Sequence, residues 1–129
     1  MIEIFPSYIR GLDGLSEFSH LILIYRFHKA RKSKSLLVRP YLDGSKDHGV
    51  FATRSPARPS LLGISIVRQF GVRGGKIRVA DIDVIDGTPL LDIKPYVPQF
   101  DSRSTEKIGW YAGKLQKLNH TVADDRFSK

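Results

Sequence analysis

The chain has 129 residues, 41% of them apolar, with 21 Lys or Arg against 13 Asp or Glu and a formal charge of +8. That size suits one domain around one core; no apolar run approaches the ~20 residues that span a bilayer, and no charged-then-apolar leader opens the chain. With no cysteine, disulfides, thiolate zinc sites, iron–sulfur clusters and a cysteine nucleophile are excluded, and a soluble, cytoplasmic protein is expected.

In chain order, Ile2 to Phe5 reads as a short strand, and Pro6 opens a brief helix with Ile9 and Leu12 on one side, kept short by Gly11 and Gly14. Phe18 to Lys29 alternates with both faces apolar in its middle, the pattern of a central strand that emerges into solvent near Arg26. Between Glu17 and Asp43 there is no acid, while Arg26, Lys29, Arg31, Lys32, Lys34 and Arg39 all fall there. A field of that sign attracts a phosphate backbone, although a solvated basic loop accounts for it nearly as well. Residues 31–48 lack periodicity and read as a long loop, and Val50 to Ala52 as a short strand feeding the TRSPARP turn.

Gly63 to Val72 alternates again, and Arg73-Gly74-Gly75-Lys76 closes a hairpin onto an arm running from Lys76 to Ile85. In that arm the apolar positions change from odd (Ile77, Val79) to even (Ile82, Val84), which predicts a β-bulge near Ala80 and Asp81. Leu90 to Tyr96 is the last strand, with Leu91 and Ile93 directed to the core and Asp92, Lys94 and Tyr96 on the other face. Ile108, Tyr111, Ala112, Leu115 and Leu118 recur at helical spacing, giving a C-terminal helix despite Gly109 and Gly113, with a frayed end from about Thr121. The fold class is mainly β: a single-domain antiparallel β-barrel over about residues 2–100, one or two short helices including the C-terminal one, and residues 101–129 as helix and tail.

Chemistry-bearing side chains crowd onto the turns between Gly49 and Tyr96, where ordinary scaffold would alternate apolar with indifferent polar residues. No Gly-rich strand-to-helix turn of the Rossmann kind is present, because Gly71 to Gly75 lies in a hairpin. His20 and His28 stand eight residues apart on one strand face, roughly 26 Å at strand rise, too far to share an ion, and no metal is expected. His20 reads as structural, His48 and His120 as loop or tail residues, and Trp110 and Tyr111 as packing anchors.

The phrases VFATRSP and DGTPLLDIKPY, together with FSHLILIYRFHKA, resemble the TrmO family (also called YaeB, VirR or TsaA-like) over most of the chain, from about Ile2 to Tyr96. The resemblance implies a β-barrel that binds S-adenosylmethionine near a homodimer interface and methylates N6 of a modified, threonylcarbamoyl adenosine next to the tRNA anticodon. It implies cofactor contacts for His28, Lys29, Arg54, Ile64, Gly87, Thr88, Pro89 and Leu90. The guanidinium of Arg54 suits a carboxylate, Gly87 lets backbone approach a ligand, and Asp86 can bond nearby amides or a ribose hydroxyl. For the transfer itself Asp92 is the candidate base, Lys94 the charge stabiliser and Tyr96 the partner of the target base; Arg31, Lys32 and Arg58 are candidates for tRNA phosphates. Alone, DGTP would read as a tight turn and Asp92–Lys94 as a surface pair.

The chain departs from the family pattern in two places. Members begin with a further strand and a Ser-Pro-aromatic turn before the segment that here starts at Ile2, and they read RPNPIG where this chain has Arg58-Pro59-Ser60-Leu61-Leu62-Gly63. The alternative is a non-catalytic barrel that binds RNA, or one that binds S-adenosylmethionine for another purpose.

Overall fold

The computed structural model describes residues 1–29, 35–40, 42–43, 46–80, 82, 84 and 86–115. The chain divides into two compact units, Met1–Tyr25 with Ile64–Ser102 and Arg26–Gly63 with Arg103–Lys129. In chain order the strands are β1 (Ile2–Glu3), β2 (His20–Arg26), β3 (Leu37–Val38), β4 (His48–Gly49), β5 (Leu62–Arg73), β6 (Lys76–Ala80) and β7 (Leu90–Pro95), followed by one α-helical turn, α1 (Pro98–Asp101).

The first unit is built on a five-stranded sheet in the order β1-β6-β5-β2-β7. It is mainly β and antiparallel, as expected from the alternation, and forms a curled half-barrel. β2 is the central strand that its two apolar faces predict, with β5 on one side and β7 on the other. Its inward residues Leu21, Leu23 and Tyr25 meet Val67 and Ile77 in a core where the four aliphatic side chains are fully buried, each contributing about 1.5–3 kcal/mol. The Tyr25 hydroxyl finds a polar partner there, 2.7 Å from Ser65 Oγ.

The turn chemistry of Arg73-Gly74-Gly75-Lys76 is as expected: both glycines take positive φ, 57° and 79°, the backbone that a two-residue hairpin between right-twisted strands requires. The brief helix at Pro6–Leu12 is of the tight 3-10 type and sets Ile9 against that turn. Gln69 Nε2 donates to the carbonyls of Ser16 and Phe18, fixing the segment that leads into β2.

Several expectations are corrected. β6 ends at Ala80, short of the predicted Ile85; Asp81 lies outside the described residues, and the irregularity in this ladder falls on the facing strand, between Gln69 and Gly71. A second irregularity lies between Ile24 and Tyr25 where β2 meets β7, and it leaves Leu91 54% exposed rather than in the core. Residues 31–48 are not loop throughout, since Leu37 and Val38 pair with Gly49 and His48 as β3 and β4 in the second unit. Val50–Ala52 is a 3-10 turn rather than a strand, closed by Thr53, whose amide and hydroxyl both donate to the Val50 carbonyl. Among the described residues the C-terminal helix is reduced to a 3-10 turn at Gly109–Tyr111, because Gly109 and Gly113 adopt φ of 62° and 76° and interrupt the helical backbone.

Candidate functional site

In the first unit, alternation along three neighbouring strands decides which side chains share a face. Leu21, Leu23 and Val67 point into the core, so Ile22 and Ile24 of β2 and Ile64 and Ile66 of β5 point outward. Lys94 stands across from Ile22 and Asp92 across from Ile24. Asp92, Lys94 and Ile64, three residues singled out from the sequence, therefore lie on one outer face with an apolar floor between them. Asp92 Oδ2 is 3.5 Å from Lys94 Nζ, and Asp92 Oδ1 accepts the Ile93 amide at 2.8 Å. Both side chains are more than half exposed, so the carboxylate keeps capacity for a further partner.

Tyr96 follows β7 with its amide bonded to the His20 carbonyl, and its ring meets the His20 ring edge-on at 6.4 Å between centroids. His20 in turn bonds Ser19 Oγ through Nδ1 at 2.8 Å, in keeping with a structural role. Ahead of β7, Gly87 has φ 87°, and a Cβ built there would meet nothing within 4 Å. The turn is open on that side, so a ligand could reach its backbone. Asp86 and Pro89 are exposed and Thr88 and Leu90 half-buried in the same turn.

In the second unit, His28 and Lys29 form a turn just after β2, following the bond from the Phe27 amide to the Leu61 carbonyl. Thr53 and Ser55 are buried and hold the ATRSP turn from within: Thr53 Oγ1 accepts the Ser55 amide and Ser55 Oγ the Ala57 amide. Arg58 bends back over this turn, its Nη1 donating to the carbonyls of Thr53 and Ser55 at 2.8 and 3.2 Å. Arg54 is exposed, with no hydrogen bond or ion pair among the described residues. The two arginines are thus distinguished: one braces the turn, and one offers an uncommitted guanidinium. Arg31 and Lys32 lie outside the described residues.

Leu61 is buried at φ 55°, an unusual backbone for a branched residue. Proline, which the resembled phrase RPNPIG carries at this place, is held near φ −65° and cannot adopt it. The local path of the chain therefore follows its own sequence here.

One constellation in the second unit carries no motif in the sequence. His48 Nε2 lies 2.9 Å from Asp43 Oδ2, the Trp110 ring stacks on His48 at 4.8 Å and on Tyr111 at 4.0 Å, and Trp110 Nε1 donates to the Ala52 carbonyl. Trp110 and Tyr111 pack as expected, but His48 is a half-buried residue of β4 rather than a loop residue. Only its place before an apolar run could have signalled this. Among the described residues no group of three or more His, Cys, Asp or Glu could hold a metal ion, and no helix is long and apolar enough to cross a membrane.

Residues 1–102 match the family model of the tRNA-methyltransferase O N-terminal domain. The chain is 54% identical over 126 residues to a probable S-adenosyl-L-methionine-binding protein of Pyrococcus abyssi, covering 98% of this chain and 67% of the relative. It is 44% identical over 121 residues to the human tRNA (adenine(37)-N6)-methyltransferase, covering 92% of this chain and 27% of that protein. The crystal structure of TrmO from Pseudomonas aeruginosa superposes with a TM-score of 0.67 at 36% identity, over 84% of this chain and 46% of that one. The chain thus spans under half the length of the human and Pseudomonas proteins. With the outer face of β7, the open Gly87 turn and the exposed Arg54 all carried on the matched segment, this chain belongs to the TrmO family.

Proposed function

We propose that this protein is an S-adenosylmethionine-dependent methyltransferase acting on N6 of adenosine 37 of tRNA, in its threonylcarbamoyl-modified form. The observation that carries the reading is Asp92: an exposed carboxylate on a strand face, 3.5 Å from the Lys94 ammonium and above an apolar floor of Ile22 and Ile24. The names of the human and Pyrococcus relatives support the substrate and the cofactor respectively.

The residues present suit S-adenosylmethionine. Arg54, uncommitted and exposed, would take the methionine carboxylate, while the open backbone at Gly87 and the carboxylate of Asp86 would receive the ribose and adenine end. His28, Lys29, Ile64, Thr88, Pro89 and Leu90 complete the proposed contacts. When bound, the cofactor supplies an electrophilic methyl group on a sulfonium.

The chain's own contribution is positioning and proton removal. The exocyclic nitrogen of adenine is conjugated and weakly nucleophilic, and it loses a proton as its bond to the methyl carbon forms. Asp92 accepts that proton; Lys94 stabilises the carboxylate before transfer and releases it afterwards. Tyr96, braced by His20, offers a ring against the target base, and holding the base in place contributes more to the rate than any single contact. Arg31 and Lys32, and the Nε and Nη2 of Arg58, which have no partner among the described residues, are the proposed phosphate contacts.

A homodimer in the cytoplasm completes the proposal. Ile64 and Ile66 are about half exposed in a row on β5, an apolar surface that a second copy would cover. Methyl incorporation into tRNA carrying threonylcarbamoyl adenosine, compared with the same tRNA lacking that group, tests the substrate assignment. Equal transfer to both would remove the modified nucleoside from the account.

A further inference from the structure

The β5–β6 hairpin carries a set of cations that neither the cofactor nor the transfer step uses. The register places Arg73 directly across from Lys76 and Gly71 across from Arg78. Ile77, between Lys76 and Arg78, is fully buried, so alternation turns Lys76, Arg78, Gly71 and Arg73 outward together. Arg68, on the outer side of β5, lies with its guanidinium carbon 5.8 Å from the centroid of the Phe70 ring, and that ring is 53% exposed. Among the described residues the acid facing this group is Glu3, across from Lys76 on the edge strand, and it offsets one of the four charges.

Between these side chains is a hollow of about 420 Å³ lined by Met1, Gly71, Val72, Arg73, Lys76 and Arg78. Gly71 keeps it open, since a Cβ built there would meet nothing within 4 Å. A merely solvated basic strand has no need of a concave surface, a missing side chain in its lining and an exposed aromatic ring at the residue before that glycine. Together these are the parts of a single-stranded nucleic-acid site: cations for the backbone and a ring on which a base stacks.

We infer that the outer face of the β5–β6 hairpin is a second RNA-binding surface, with Arg68, Arg73, Lys76 and Arg78 contacting phosphates and Phe70 stacking on an unpaired base. The inference rests on the reading of tRNA as substrate. It adds a site on β5 and β6, a different part of the sheet from the β7 strand that carries Asp92. Its role is to hold the RNA beyond the target nucleotide.

The test uses the whole chain and unlabelled tRNA, with affinity measured by fluorescence anisotropy competition from low to moderate salt. The variant Arg73→Gln/Lys76→Gln/Arg78→Gln removes three exposed cations, Gly71→Val fills the hollow without changing charge, and Lys46→Gln/Arg103→Gln/Lys107→Gln removes three exposed cations of the second unit. The hairpin triple variant is expected to flatten the slope of log affinity against log salt by roughly 2–3 and to weaken tRNA binding by about tenfold or more. Gly71→Val is expected to weaken tRNA binding at unchanged melting temperature, and the second-unit triple variant to bind tRNA several-fold more tightly than the hairpin triple variant. S-adenosylmethionine affinity should be the same in all of them. A hairpin variant that keeps the wild-type slope and affinity overturns the inference, as does dependence on these cations for binding phosphatidylglycerol vesicles but not tRNA. Should the wild type bind tRNA through the hairpin yet transfer no methyl group, the methyltransferase reading falls and the RNA surface stands.

Discussion

Ile9 occupies the space that a side chain on Gly75 would need: a Cβ built on Gly75 would lie 2.7 Å from Ile9 Cδ1 and 3.1 Å from its Cγ1. The 3-10 helix of Pro6–Leu12 is thereby locked onto the β5–β6 turn, and the Ile4 amide bonds the Gly75 carbonyl at 2.8 Å beside it. Gly75→Ala meets both this contact and a φ of 79°, so a loss of about 1–3 kcal/mol is expected in urea unfolding. Gly74→Ala, at φ 57° but with open space around it, should lose about 1 kcal/mol, and the difference between the two measures the Ile9 contact.

Tyr25 and Ser65 join two strands through the interior of the first unit by a 2.7 Å hydroxyl pair. Tyr25→Phe leaves Ser65 Oγ with a lost partner in a half-buried setting, and about 1 kcal/mol of stability should go with it. Tyr25→Phe/Ser65→Ala should recover part of that loss, which a double-mutant cycle in urea reads directly.

The stack of His48, Trp110 and Tyr111 ties the turn at residues 109–111 to β4 and the Val50–Ala52 turn within the second unit. Trp110→Ala removes two ring contacts and the bond to the Ala52 carbonyl, for an expected cost of about 1–3 kcal/mol. Protease cleavage should then rise first near residues 109–115, while β2 and β7 keep their amide protection.

Where apolar residues alternated with a consistent phase, the sequence was a sufficient guide. β2, β5, the Gly74-Gly75 turn and β7 follow from it, and so does the shared face of Asp92 and Lys94, because alternation is a backbone property that tertiary contacts rarely reverse. It failed where one residue broke the phase. The irregularity opposite Leu90 to Asp92 turned Leu91 to solvent, and the two positive-φ glycines stopped a helix whose apolar spacing looked intact. Short pairings such as Leu37 with Gly49 carry no periodic signal, and the His48 stack depends on residues more than 60 positions apart in the chain. The cations of the β5–β6 hairpin were all visible in RQFGVRGGKIR, but their common face became evident only from the register.

Arg54 is proposed to take the carboxylate of S-adenosylmethionine because its guanidinium is uncommitted among the described residues while the neighbouring Arg58 is engaged. Arg54→Ala should weaken cofactor binding by roughly ten- to a hundredfold, the range for a lost charge-assisted pair, and Arg54→Lys should recover only part of it. Titration calorimetry with S-adenosylmethionine checks this. Binding to S-adenosyl-L-homocysteine should fall equally, since it carries the same carboxylate.

Asp92 is proposed to take the proton from the target nitrogen, and the single-turnover rate of methyl transfer to tRNA by Asp92→Asn decides whether it does. Its pairing with Lys94 is exposed and worth no more than about 1 kcal/mol, so the variant should fold with an unchanged melting temperature and bind S-adenosylmethionine and tRNA as the wild type does. A rate lower by about 10²-fold or more is expected under those conditions. A rate within a few-fold of wild type, at equal occupancy of cofactor and tRNA, would contradict it.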